Sequence, residues 1–410
     1  MYDRIASVEK SYTKNYNHED DLKYTLEMCQ WLLKPLGVWT LIYHRVSKLG
    51  RAASVVMLFL CLSCFLFVII PSFNNIFFAE KNVANKVQLF GPAIFCVFST
   101  VKYCYLGVKG KTLGRCIQHV ERDWRMVQHQ HYRAIMLKQA GISRRLITVC
   151  AAFLYIGAIS YLTLLQFLSN EMDTLNVTAR SLAYPCFEFL DVQSSPTYEI
   201  VFFLHCLAGI IMCTATMAAY SLAATFVTHI CGQIQIQIIR LENLIDESRE
   251  KNNFHERMAI IVRDHVKVLR FSRDVDEGLR EICLTEIADS TLSMCMLEYY
   301  CMLGWKNNDK IAMVTYLMLL TSFTFTALIY CYVGELLSEQ FSQIGRVSYN
   351  IHWYNLSARE AYNFVLLEAI SLYPPKLTAG KMIELSINTF GIVVKTSVVY
   401  LNLLRTVATW

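Results

Sequence analysis

Charged residues are scarce in this sequence. They fill 17% of the 410 positions, whereas hydrophobic residues fill 55% and aromatic ones 13%, which leaves too little polar material to coat soluble domains of that total length. Lipid is the expected solvent. The net charge of +5 is equally sparse and excludes a nucleic-acid partner as the organising principle. A cleavable signal peptide is also lacking: the first fifty residues are polar and charged, with no short apolar core followed by small residues, so this end is expected to stay in the cytoplasm.

Catalytic motifs are missing as well. Gly110-Lys111-Thr112 resembles the end of a phosphate-cradling loop, but that loop needs a glycine five positions earlier and Tyr105 stands there. His129 and His131 diverge on a helix, so a solvated basic loop accounts for them better than a metal site. No Gly-x-Ser-x-Gly, His-Glu-x-x-His or dinucleotide fingerprint occurs, and neither an enzyme nor a bound cofactor is expected. Cysteine, by contrast, is plentiful at 15 residues. Cys61, Cys64, Cys96, Cys150, Cys206, Cys213, Cys295 and Cys331 lie in apolar runs, where cysteine behaves as a small hydrophobe; the Cys61-x-x-Cys64 pair lacks the water and further ligands that redox or zinc chemistry needs.

A helix crosses the hydrocarbon with about 20 apolar residues. Six stretches qualify: Ala52 to Pro71, Val87 to Val108, Leu146 to Leu168, Ile200 to Val227, Ile311 to Gly334 and Ile383 to Thr406. A seventh, Ile282 to Trp305, is interrupted by Glu286, Asp289 and Glu298 and reads as a helix rising from the cytosol, partly shielded by protein. The expected fold is therefore an all-α membrane protein with seven transmembrane helices. Orientation follows from the basic residues. Lys109 to Arg145 carries Lys109, Lys111, Arg115, Arg122, Arg125, Arg133, Lys138, Arg144 and Arg145, whereas Ser169 to Glu199 carries Arg180 against Glu171, Asp173, Glu188, Asp191 and Glu199. The first segment is expected inside and the second outside. That gives a cytoplasmic N-terminus, an extracellular C-terminus and a usable glycosylation site at Asn176, with the Asn355 sequon on the cytoplasmic side.

From Gly232 to Cys283, and again from Leu336 to Ile370, charge returns while apolar residues keep helical spacing, as at Ile238, Leu241, Ile245, Ile260, Ile261, Val266 and Leu269. Amphipathic helices must bury their stripe. A cytoplasmic helical anchor layer is expected, the alternative being a hairpin packed only on its own subunit.

Several segments resemble one family, the insect odorant receptors. "WLLKPLGVW" from Trp31 to Trp39 is similar to its leucine-rich opening. "GELLSEQ" from Gly334, "NIHWYNLSAR" from Asn350 and above all "YPPKLTAGKM" from Tyr373 follow in order, and "KTSVVYLNLLR" from Lys395 resembles its terminal motif, with Val399 in place of a serine and Leu401 in place of a phenylalanine. The resemblance implies an odorant-binding subunit of a ligand-gated, non-selective cation channel. Its partners would be the odorant co-receptor, in a heterotetramer, together with a small volatile apolar ligand, the lipid bilayer and permeating cations. Its place would be the plasma membrane of olfactory sensory neurons. The implied organisation is a cytoplasmic segment at 1–51, helices one to four with the pocket at 52–231, the anchor at 232–281, helices five and six at 282–334, the cytoplasmic half of helix seven at 335–382, and its pore-lining half at 383–410.

On a helical wheel the last stretch gathers Lys395, Thr396, Val399, Leu403, Thr406 and Val407 on one side, with Arg405 nearly opposite. A lysine at a helix centre costs about 2.5 to 3.5 kcal/mol in lipid, so either a water-lined face or snorkelling to the inner interface suits Lys395. The resemblance aligns Leu403 and Val407 with an apolar gate. For the odorant, the outer halves of the spans offer Phe90, Phe95, Tyr155, Tyr161, Phe203, His205, Met212, Tyr316 and Leu320. For each of these a packing role competes with ligand contact, and His205 also reads as an ordinary core histidine. A gustatory-type channel of the same fold, a metabotropic receptor and a secondary transporter remain as alternatives. The second would show an Asp-Arg-Tyr-like triplet and Asn-Pro-x-x-Tyr, and the third two similar halves with paired broken helices; none of these is found.

Overall fold

A computed structural model of the chain describes residues 15, 17–43, 47–81, 83–127, 129–164, 182–187, 194–246, 254–351 and 357–408. In chain order the helices are α1 (His18–Leu33), α2 (Trp39–Ile42), α3 (Lys48–Asn74), α4 (Val83–Val108), α5 (Gly110–Met126), α6 (Gln130–Ile159), α7 (Thr197–Asp246), α8 (Phe254–Lys306), α9 (Lys310–Asn350), α10 (Ala358–Ser371) and α11 (Ile387–Ala408). Single π turns extend α3 over Asn75–Ala79 and α6 over Ser160–Leu164. Two short strands, β1 (Thr378–Ala379) and β2 (Ile383–Glu384), pair antiparallel. The fold is all-α because a chain in lipid must satisfy its backbone internally, and a helix does so within one segment.

Six helices are long and apolar enough to cross a membrane: Lys48–Ala79, Asn85–Val108, Gln130–Leu164, Thr197–Leu244, Lys310–Asn350 and Ile387–Thr406. Each coincides with most of one of the six apolar stretches; residues 165–168 of the third lie outside the described residues. The interrupted stretch, Ile282 to Trp305, forms the last part of α8 and packs among α4, α7, α9 and α11, so its acids meet protein rather than lipid. Three of the starts carry side-chain caps. Ser47 accepts from the Gly50 N–H, Asp309 from Ala312, and Ser357 with Glu360 forms a capping box at α10.

Around α7 the bundle closes. It packs on α1, α3, α4, α5, α6, α8 and α9, and from Met212 to Ile234 nearly every side chain is buried. The amphipathic stretches are continuations of spans rather than separate hairpins. α7 runs unbroken to Asp246, α8 begins at Phe254, and α9 passes through Gly334 to Asn350. Their stripes meet in a second core, where Leu241, Leu244, Phe254, Met258 and Ile261 bury against Phe364 and Leu367 of α10. This is the helical anchor at one end of the bundle. The basic segment after Lys109 is likewise a helix, α5, folded over the same end with Leu113, Ile117, Val120 and Trp124 buried. Ile383 to Ser386 is not part of the terminal helix: β2 and a turn occupy those positions, and α11 starts at Ile387.

The "YPPKLTAGKM" segment forms the clip that starts α11. Thr378 donates its N–H and its hydroxyl to Asp276 of α8 at 2.7 and 2.8 Å, Leu377 and Ala379 are fully buried, and the Gly380 N–H donates to the Arg280 carbonyl at 2.8 Å. Gly380 has φ +63, a conformation glycine adopts without strain, and a Cβ there would lie 2.7 Å from Leu284 Cδ2.

Candidate ligand cavity and terminal helix

Proline, a π turn and small residues open a cavity between the helices, on the side of the bundle away from the anchor. Pro92 has no N–H, which frees the Gln88 carbonyl of α4. The Tyr300 hydroxyl of α8 fills the gap: it accepts from the Gly91 N–H at 2.9 Å and lies 2.9 and 3.0 Å from the Val87 and Gln88 carbonyls, to which it can donate. A Cβ at Gly91 would overlap that ring. Across from it the π turn of α6 presents Tyr161 and Leu162, and Leu162 fits against Gly209 of α7. The enclosed space is small, about 80 Å³, and has an open mouth. Its walls are Gly91, Pro92 and Phe95 of α4; Leu154, Ala158, Tyr161 and Leu162 of α6 and its π turn; Tyr184; Gly209 and Cys213 of α7; Ser293, Met296, Leu297 and Tyr300 of α8; and Tyr316, Leu319 and Phe323 of α9. Aromatic pairs fix the corners: Phe95 meets Phe323 edge-on at 5.6 Å, and Tyr300 meets Tyr316 at 5.2 Å.

Of the aromatic and polar candidates, Phe95, Tyr161 and Tyr316 come together on this wall. The others do not. Phe90 and Phe203 face outward, 42% and 65% exposed. Tyr155 pairs its hydroxyl with Thr214 at 2.8 Å. His205 is buried against the rings of Phe67 and Tyr184, and neither of its nitrogens has a hydrogen-bond partner among the described residues. Met212 is fully buried beside Cys213, and Leu320 follows the lining Leu319 without reaching the space. Sequence reasoning missed the α8 wall. Ser293, Met296, Leu297 and Tyr300 recur at three- and four-residue spacing on one helix face, a signal that was present in the seventh, interrupted stretch. Asn176 and Asn355 lie outside the described residues.

Beneath the cavity sits a buried ion cluster. Lys102 of α4, fully buried, donates to Glu286 at 2.8 Å and to Asp289 at 2.7 Å, both on α8. Ser290 reaches Glu286 at 3.4 Å, and Ser293 donates to Asp289 at 2.9 Å. The acids that interrupt the span therefore carry their own counter-ion. At the anchor, Asp123 of α5 joins His119, His229 and Lys267. Burial alone would raise its carboxyl, but the hydrogen bonds of both histidines and the Lys267 charge outweigh this and hold it well below the usual carboxylate range.

The terminal helix α11 packs on α8 and α9 along Thr389, Val393 and Ser397. Ser397 lies 2.9 Å from Glu298 and 2.8 Å from the Val394 carbonyl. Away from that contact Lys395, Val399, Leu403 and Thr406 are exposed on the single chain and Thr396 is half-buried; Leu403 is 61% exposed. The side chain of Val407 lies outside the described residues.

These features define an all-α membrane protein with an apolar cavity inside its helix bundle and a terminal helix leaning on its flank. The family model described as "7tm Odorant receptor" matches residues 82–398. The chain belongs to the insect odorant receptor family. Among curated relatives it is 25% identical to Odorant receptor 13a of Drosophila melanogaster over 53% of this chain and 55% of that one, and 22% identical to Odorant receptor 10 of Aedes albopictus over 56% and 61%. The chain thus spans about half the length of the curated relatives it matches. The insect olfactory receptor OR5 from Machilis hrabei, solved in complex with eugenol, superposes with a TM-score of 0.78 at 14% identity, covering 94% of this chain and 100% of that one; a second structure of that receptor gives 0.76 over the same shares. The shared fold is that of OR5. The family is one of receptors rather than enzymes.

Proposed function

We propose that this chain is the odorant-binding subunit of a ligand-gated, non-selective cation channel, assembled with the odorant co-receptor as a heterotetramer in the plasma membrane of olfactory sensory neurons. The observation that carries the reading is the aromatic-lined cavity within the odorant-receptor fold. In this reading the anchor end and the N-terminus lie in the cytoplasm and α11 ends outside, as the basic residues from Lys109 to Arg145 favour. Asn176 then carries glycan, and loss of a glycosidase-sensitive shift in Asn176→Gln is the expected result.

A ligand opens such a channel only by binding the open state better than the closed one. Two rods join the cavity to α11. α9 lines the cavity at Tyr316, Leu319 and Phe323, and its Glu335 accepts from the Ile387 N–H at the base of α11 at 3.2 Å. α8 lines it at Tyr300 and meets Ser397 through Glu298. The exposed face of α11 would meet its counterparts from neighbouring subunits around a pore. There Lys395 and Thr406 would see water, Val399 would line the wall, and Leu403 and Val407 would close it by dewetting.

Currents from cells expressing the chain with and without the co-receptor, over a panel of volatile compounds, test the assignment. Odorant-evoked cation current that requires both subunits is expected. A response that survives only while G-protein signalling is intact would overturn it, and a response confined to non-volatile tastants would favour the gustatory-type alternative. A polar substitution at Leu403 should raise unliganded current or alter permeability; no change in either removes Leu403 from the gate.

A further inference from the structure

The mostly apolar cavity wall carries a serine at its deep end. Ser293 lines it there, 4% exposed, seven residues and so about 10 Å along α8 from Tyr300. Its hydroxyl hydrogen is committed. The Ser293 Oγ donates to Asp289 Oδ1 at 2.9 Å, while Asp289 Oδ2 accepts from the Lys102 ammonium at 2.7 Å. Lysine has hydrogens to give and no lone pair, so the Asp289 oxygen that meets it accepts, and Ser293 supplies the hydrogen to the other. Towards the cavity Ser293 can therefore only accept. Two of the other hydroxyls around it are likewise directed. Tyr161 donates to the Ala183 carbonyl at 3.1 Å, and Tyr300 is occupied by α4 on both its donor and acceptor sides. Cys213 offers a thiol, at most a weak donor. Tyr316 stands at the opposite end, and its side chain leans toward the start of α9, as helical side chains do.

We propose that the deep end of this cavity is a hydrogen-bond acceptor site that selects ligands carrying a hydroxyl, alcohols or phenols, over aldehydes, ketones and ethers of the same skeleton. This rests on the reading of the cavity as the odorant site. A ligand hydroxyl donating to Ser293 would extend a chain from ligand oxygen through Ser293 and Asp289 to Lys102, each bond polarising the next. A carbonyl or ether oxygen at the same point would set lone pair against lone pair and gain nothing. The preference is that of one hydrogen bond, about threefold to tenfold in half-maximal concentration. It arises from a charged cluster that the ligand never touches.

Matched trios check this in cells expressing the full chain with its co-receptor: benzyl alcohol, benzaldehyde and benzyl methyl ether, and cyclohexanol, cyclohexanone and cyclohexyl methyl ether. In each trio the alcohol should act at the lowest concentration by about threefold to tenfold. Ser293→Ala should weaken the alcohol alone and close the gap, with surface expression measured alongside, while Ser293→Thr should keep it. The comparison within the unmodified protein needs no variant to fold. An aldehyde, ketone or ether as potent as its alcohol overturns the proposal, as does a gap that persists in surface-expressed Ser293→Ala. Silence towards all six compounds, with the chain at the cell surface, counts against the odorant-channel reading and takes this inference with it.

Discussion

Replacing Lys102 by methionine would leave Glu286 and Asp289 side by side with no counter-ion. Lys102 is the cation between them at 2.8 and 2.7 Å, and all three side chains are at most 2% exposed. Removing one partner of a buried ion pair costs about 3 to 5 kcal/mol, mainly because the surviving charge is stranded. Here the charge left behind is double, so the upper part of that range applies, a large fraction of what stabilises a whole domain. Replacing all three by near-isosteres, Lys102→Met with Glu286→Gln and Asp289→Asn, removes the charge altogether and should restore most of the loss, because well-packed neutral groups often match a buried ion pair. Thermal unfolding of detergent-solubilised protein, followed by a fluorescent tag on size-exclusion chromatography, reads both. The single variant should melt several degrees lower and the triple variant close to the original. A single variant that melts with the unmodified chain, or a triple variant no better than the single, would refute the view that this cluster is a self-compensating charge set.

Three further outcomes follow from the same geometry. Tyr300→Phe strips the partner from the Gly91 N–H and the freed α4 carbonyl; a loss of about 1 to 3 kcal/mol is expected, with odorant potency falling at unchanged surface expression, and equal melting and potency would show that water replaces the hydroxyl without penalty. Asp123→Asn should cost about 2 kcal/mol near neutral pH. Because the folded carboxyl is held below its ordinary value of 3.8, its contribution is present above that value and is lost as pH falls towards the folded one, so the deficit should shrink in melts below about pH 4. A deficit equally large in strong acid would assign the effect to packing. Gly380→Val forces a branched residue into φ +63 and against Leu284, and should lower the melting temperature by the equivalent of about 2 kcal/mol or more; an unchanged melt would mean that the clip does not hold the base of α11.

Six spans were legible because uninterrupted apolar runs need no partner to be recognised. α8 was less so. Its acids count as charge until Lys102, 184 residues away from Glu286, is seen to answer them, and nothing local announces that pairing. The amphipathic stretches around Leu241 and Ile261 were readable as helices needing cover, yet their continuity with α7 and α8 was hidden because a helix can pass from lipid to anchor without a break in its backbone. For the cavity, residue type was a sound guide and direction was not. α7 is apolar around most of its circumference, so nothing in its pattern says that Phe203 points outward while Gly209 and Cys213 point in. The directed hydrogen of Ser293 belongs wholly to the three-dimensional arrangement.

The clip at Thr378 and Gly380 also fixes how the last helix can move. α11 is fastened at its base, by Glu335 on the Ile387 N–H and by the hairpin on α8, and Ser397 meets Glu298 at 2.9 Å further along. Such a rod is a cantilever. Leu403 stands sixteen residues, about 24 Å, from the fastened end, so a tilt of a few degrees at the root becomes a displacement of an ångström or more at the level of Leu403.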